Sequence, residues 1–97
     1  MLREISIQKA QRALANNPEI QLVDVRTAAE YRQGHIPGSI SIPLAGIRNC
    51  RIPKNKPIFV CCKSGERSRQ AKETLMAMGY TNVTNIGSID GWKLVSN

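Results

Sequence analysis

The residues of this chain best suited to chemistry lie in V-C-C-K-S-G-E-R-S, residues 60–68. An apolar run ends in two adjacent thiols, Cys61 and Cys62. Lys63, Ser64, Gly65 and Glu66 then lead to Arg67 and a helical pattern. So short a link between a buried strand and a helix must curl tightly, and Gly65 permits the curl. The curl turns backbone N–H groups inward on the Cys62 sulfur, and the positive end of the helix dipole adds to them. Lys63 and Arg67 contribute full charges. Each of these favours thiolate over thiol, so Cys62 is expected to titrate below the roughly 8.5 of a free thiol. These are the surroundings of a nucleophile or an anion cradle.

The neighbouring thiol reads differently. If the strand continues, Cys61 points to the opposite face, and packing in the core is its expected role. Cys50 reads as a small buried hydrophobe or an inert loop thiol. An odd count with two adjacent members makes no disulfide framework. There is no C-x-x-C pair and His35 is the sole histidine, so neither a metal site nor another cofactor is expected. Free thiols point to a reducing compartment, the cytoplasm. His35 is expected to pack or hydrogen-bond within "GHIPG". Asp24 and Arg26 read as an ion pair or turn that fixes a wall of the cleft.

The elements that must position Cys62 alternate. "LREI" reads as a short strand, and Ser6 as the cap of a helix with Ile7, Ala10 and Leu14 inward. Asn16-Asn17-Pro18 breaks that helix. "IQLVDV" at 20–25 reads as a buried strand. Thr27 is expected to cap a short helix, with Glu30 placed for a capping box. A strand near 39–42, a helical turn at 44–50 and the all-apolar strand "KPIFVCC" follow. Ala71, Leu75 and Met78 fall at helical spacing up to Gly79. "NVTNI" reads as a last strand, and residues 88–94 as a closing helix. This order predicts a small α/β domain in which a mainly parallel sheet is flanked by helices, with Cys62 at a strand's carboxyl end, where ligands bind.

The chain has 97 residues and a net charge of +7. That length fits one domain, 1–97, and a monomer. No apolar run reaches the ~20 residues of a membrane span, and the N-terminus shows no signal-peptide pattern. The chain therefore reads as soluble and intracellular, with no membrane partner. Its basic residues are scattered, apart from Lys63, Arg67, Arg69 and Lys72, and Tyr31, Phe59, Tyr80 and Trp92 are too few for a stacking platform. Nucleic acid is not an expected partner; a small anion is. Arg48, Arg51, Lys54 and Lys56 read as solvated surface, or as a face for an acidic protein.

Three stretches resemble the rhodanese family of sulfurtransferases. "LVDVRTAAEYRQGHIPGSISIPL" is similar to its first motif, "VCCKSGERSRQA" to its C-x-x-G-x-R-S active-site loop, and "GYTNVTNIGSIDGW" to its closing motif. The resemblance implies a rhodanese-like three-layer α/β fold. It also implies that Cys62 forms a persulfide, held by the loop of Lys63, Ser64, Gly65, Glu66 and Arg67. Sulfur would come from a small anionic donor such as thiosulfate and pass to cyanide or a thiol, or to a sulfur-carrier protein. The chain departs from the family pattern in three places. Ser88 stands where a second glycine is common, and Cys61 where an aromatic residue is frequent. Glu30 stands where some members carry a basic residue that helps hold thiosulfate.

Two rivals are weighed against this reading. Phosphatase and arsenate-reductase relatives use C-x5-R loops, whereas four residues separate Cys62 from Arg67 here. The shorter ring suits one sulfur and crowds a tetrahedral oxyanion. A docking or persulfide-sensing module is the non-enzymatic alternative, with Cys61 or Cys50 as the resolving thiol.

Overall fold

The computed structural model describes residues 3–96. Four strands form its sheet: β1 (Gln21–Asp24), β2 (Ile40–Ser41), β3 (Ile58–Cys62) and β4 (Val83–Ser88). Their order is β2-β1-β3-β4, and every pairing is parallel. The chain leaves β1 towards β2 on one side and leaves β3 towards β4 on the other. The carboxyl ends of β1 and β3 therefore flank the crevice where the connections part, the usual ligand position in such sheets.

β3 is buried along its whole length, and side-chain alternation divides it between two cores. Ile58, Val60 and Cys62 pack with Val23, Val25, Ala71, Leu75 and Tyr80 on one face. Phe59 and Cys61 pack with Ala10, Leu22, Ile36 and Ile86 on the other. Helix α3 (Glu66–Ala77) and a 3-10 turn (Leu44–Asn49) cover the first face, while α1 (Ile7–Asn16) covers the second. These are the expected three layers.

The local signals mostly hold. Ser6 caps α1 by accepting the Lys9 N–H at 3.1 Å, with Ala10 buried and Ile7 and Leu14 half-buried. Thr27 opens α2 (Ala28–Gln33) with a complete capping box: its hydroxyl accepts from Glu30 N–H at 3.2 Å, and Glu30 Oε1 accepts from Thr27 N–H at 2.9 Å. Gly79, at φ 108°, follows the end of α3.

Two expectations fail. Residues 3–5 are not a strand, and Leu2 lies outside the described residues. Glu4 makes only a local clasp on β4, donating its N–H to Asn85 O at 2.8 Å and accepting Asn85 N–H on Oε1 at 3.0 Å. The closing helix at 88–94 is absent too. Ser88 is the end of β4, and its hydroxyl accepts the Asp90 N–H at 2.9 Å in a turn. Gly91 is left-handed at φ 90°, which halts any helix there. The chain then pairs Val95 antiparallel to His35. Among the described residues, no helix is long and apolar enough to cross a membrane.

Candidate active site

The site begins with the end of β3. Cys62 O accepts the Ile89 N–H at 2.9 Å, so the strand stays paired up to the residue that carries the sulfur. Gly65 then adopts φ 95° as the cap of α3, a conformation that costs other residues on the order of 1 kcal/mol or more. This bend returns the chain to the sulfur. The Gly65 N–H donates to Cys62 Sγ at 2.9 Å and the Ser68 N–H at 3.4 Å, while the Ser68 hydroxyl lies 3.3 Å away.

Burial pushes the Cys62 thiol up. The Ser68 hydroxyl and the N–H groups of Ser68, Gly65 and Ser64 push it down and prevail, so the thiol sits below its ordinary value. Cys61 meets the opposite outcome. Burial raises it well above the ordinary thiol range, and the Asp24 charge adds to the rise. One peptide bond separates an activated sulfur from an inert one.

The expected loop residues play unequal parts. Gly65 and Ser64 direct amides at the sulfur. Lys63 is exposed and pairs with no carboxylate among the described residues. Glu66 faces outward and pairs with Arg69, one helical turn along. Arg67 was expected to lend its charge to the sulfur. Its charge does act on Cys62, but its strongest partner is Glu30, on which the guanidinium closes with Nη1 to Oε1 at 2.7 Å and Nη2 to Oε2 at 3.0 Å. A planar fork facing a carboxylate forms this bidentate bond readily. Arg67 and the capping-box N–H of Thr27 hold the Glu30 carboxyl down at about 2. Glu30 does face the site, but it is neutralised there by Arg67.

The wall on the β1 side is the expected ion pair. Arg26 Nη2 and Nε bond the Asp24 carboxylate at 2.7 and 3.0 Å, and Nη2 also donates to Gly34 O at 2.7 Å. Both residues are buried. His35 stacks on Tyr31 with ring centroids 3.8 Å apart, and its Nδ1 lies 2.8 Å from Tyr31 O, so it packs as expected. A cleft of about 270 Å³ opens beside the loop, lined in part by Arg26, Glu30, Gly34, Lys63 and Asp90. Cys62 is fully buried and joins that lining through its neighbour Lys63, not by its own side chain. Among the described residues, no cluster of side chains is suited to a metal ion.

Two contributors escaped sequence reasoning. Ser68 stands in the quoted motif, but nothing in the spacing showed that its hydroxyl would meet the sulfur. Asn85, from β4, is buried and bonds Ser68 Oγ at 2.7 Å. An asparagine in a strand pattern carries no signal of such a contact.

Comparison with known proteins decides the family. Residues 6–94 match the rhodanese-like domain. The chain belongs to the rhodanese family. A sulfurtransferase of Allochromatium vinosum is 41% identical over 95 residues, covering 95% of this chain and 89% of that protein. The thiosulfate sulfurtransferase PspE of Escherichia coli is 42% identical over 71 residues, covering 69% and 68% respectively. A solved structure described as rhodanese with anions from E. coli superposes with a TM-score of 0.71 at 37% identity, covering 80% of this chain and 99% of that one. The all-parallel sheet, with Cys62 at the end of β3, is thus a rhodanese fold.

Proposed function

We propose that this rhodanese-family protein is a sulfurtransferase that carries sulfane sulfur on Cys62. The observation that carries this reading is the Gly65 N–H 2.9 Å from a buried sulfur, with Ser68 closing the other side. Inward amides stabilise an anionic sulfur without a cofactor. The Cys62 thiolate attacks the outer sulfur of thiosulfate, the S–S bond breaks, and sulfite leaves with the electron pair. Cys62–S–S⁻ remains. Cyanide or a thiolate then takes the terminal sulfur and returns the Cys62 thiolate, so no general base is required in either step.

Lys63 is the cation that meets an anionic donor at the cleft, because Arg67 and Arg26 are already engaged. Thiosulfate is the donor we would try first, and a low-molecular-weight persulfide second. A carrier protein is a further acceptor. Three free thiols suit a reducing compartment such as the cytoplasm. The sensor alternative loses its Cys61 route, since Cys61 is buried in the opposite core and cannot meet Cys62 without unpairing the strand, while Cys50 packs half-buried against the Cys62 core.

The test is a thiocyanate assay with thiosulfate and cyanide on the intact chain, Cys62→Ser and Cys61→Ser. Turnover by the first and third alone is expected. Equal turnover by Cys62→Ser would refute the reading. No turnover by any of them, with glutathione persulfide also inactive, would favour a docking module.

A further inference from the structure

Ser68 has one hydroxyl hydrogen and three acceptors within reach. Its Oγ lies 2.7 Å from Asn85 Oδ1, 3.1 Å from Gly65 O and 3.3 Å from Cys62 Sγ. Which acceptor receives the hydrogen depends on Asn85, and the network fixes how that amide is turned. The Gly87 N–H, an obligatory donor, sits 2.9 Å from Oδ1, and Gly65 O, an obligatory acceptor, sits 3.1 Å from Nδ2. A flipped amide would set donor against donor and acceptor against acceptor.

Oδ1 therefore faces Ser68 and can only accept. Gly65 O is already served by Asn85 Nδ2 and by the Arg69 N–H at 3.0 Å. The Ser68 hydrogen rests on Oδ1, and the hydroxyl turns its lone pairs to the sulfur. That arrangement suits a thiol, which can donate its own hydrogen to Ser68. It does not suit a thiolate, which has none to give.

The backbone keeps Asn85 in place. β4 shifts register against β3 between Val60 and Cys61, and Gly87 completes the irregularity at φ 77°. A side chain at Gly87 would also meet Arg3 Cβ at 2.8 Å. The carboxylate of Glu4 holds the Asn85 N–H from the other side.

We propose that Asn85 is a positioning residue that acts through Ser68, competing with the Cys62 sulfur for the serine's hydroxyl hydrogen. When Cys62 ionises, the hydroxyl turns from Asn85 to the sulfur, and Oδ1 keeps only the Gly87 N–H. Asn85 thus favours states in which Sγ bears no charge. The thiol is one, and a persulfide, whose charge sits on the outer sulfur, is another. Thiolate formation is opposed by about one hydrogen bond.

The charged and titratable groups around Cys62 lie off β4: Asp24 and Arg26 at the end of β1, Glu30 on α2, Cys61 on β3, Lys63 in the loop, Arg67 on α3, and Cys50 and Tyr80, which pack in the same core. β4 contributes none, and Glu4 reaches only its backbone. Replacing Asn85 by alanine leaves all of them in place.

The test is the titration of Cys62 by thiolate absorbance, with Cys62→Ser as the blank, in Asn85→Ala with and without Ser68→Ala. The inference rests on Cys62 being the reacting thiol. The titration reads that thiol directly, so a failure to transfer sulfur would show separately. Asn85→Ala is expected to lower the Cys62 pKa by roughly half a unit to one unit, and to leave it unmoved in the Ser68→Ala background. A merely structural role predicts the reverse, because a loosened loop loses its amides and lets the thiol rise. A rise, or the same shift in both backgrounds, overturns the proposal.

Asn85→Asp gives a second reading should the alanine variant not fold. The carboxylate grips the Ser68 hydrogen more firmly and raises Cys62, and part of that rise is lost when Ser68 is alanine. An undiminished rise in Ser68→Ala would overturn the proposal as well.

Discussion

Cys61 and Cys62 are neighbours in sequence and share one fully buried strand, yet their two faces treat sulfur in opposite ways. On the Cys62 face the chain leaves the sheet after Cys62, turns at Gly65 and comes back with N–H groups aimed at the sulfur. On the Cys61 face the sulfur meets Ala10, Leu22, Ile36 and Ile86, with Asp24 as its partner in the β1–β3 register. Burial is complete for both. Cys61 nonetheless lies the deeper of the two, and it lacks the hydrogen-bond donors that receive a charge at Cys62.

The largest way to disturb this contrast is at its charged wall. Asp24→Ala leaves the Arg26 guanidinium buried without its carboxylate, and should cost about 3–5 kcal/mol of stability in urea unfolding. It should also let the Cys61 thiol fall towards the ordinary range, because the Asp24 charge is one of the causes that raise it. A change below about 1 kcal/mol would show that the pair is not a fixed wall.

Cys61→Ser sharpens the comparison more gently. A hydroxyl without a partner in the apolar cluster should destabilise the fold by about 1–3 kcal/mol. Turnover per folded molecule should stay that of the parent. Loss of turnover without loss of stability would mean that Cys61 takes part in the chemistry.

Glu30→Gln probes the mouth of the site. Arg67 would lose its ion partner and become available to an anion. The KM for an anionic donor should fall roughly fivefold, about 1 kcal/mol, with kcat little changed, and high salt should erase the difference. An unchanged KM would show that Arg67 does not face the donor.

The smallest effects are in the pH dependence of stability, where the two thiols have opposite signs. The folded Cys62 thiol lies below its unfolded value of about 9, so its contribution is present above that value and is lost as pH falls through the folded one. The folded Cys61 thiol lies above its unfolded value, so stability declines once pH rises past about 9. At the acid end, the Glu30 contribution is present above its ordinary 4.5 and disappears as pH falls towards about 2. Unfolding midpoints of Cys62→Ser and Cys61→Ser across this range should diverge from the parent in opposite directions.

Much of this arrangement was legible in the residues. Unbroken apolarity marked β3 as a central strand, the Thr27/Glu30 spacing marked a capping box, and a glycine between a strand-end thiol and a helix implied an amide nest. Each signal is local, so a short window of sequence carries it. The misses were non-local. Whether Glu30 repels a donor depended on Arg67 crossing from another helix, and Asn85 gained its role from a register shift between β3 and β4. The closing helix failed for a third reason. Residues 88–94 read as a closing helix, but Gly91 adopts a left-handed conformation and Val95 pairs with His35.

The central claim is that the two faces of β3 make one sulfur reactive and its neighbour inert. The most direct measurement is to treat the protein with thiosulfate, trap the product with an alkylating reagent, and assign the added sulfur by tandem mass spectrometry across the Cys61–Cys62 peptide. The account predicts the added sulfur on Cys62 alone. Added sulfur on Cys61, or shared between the two, would contradict it.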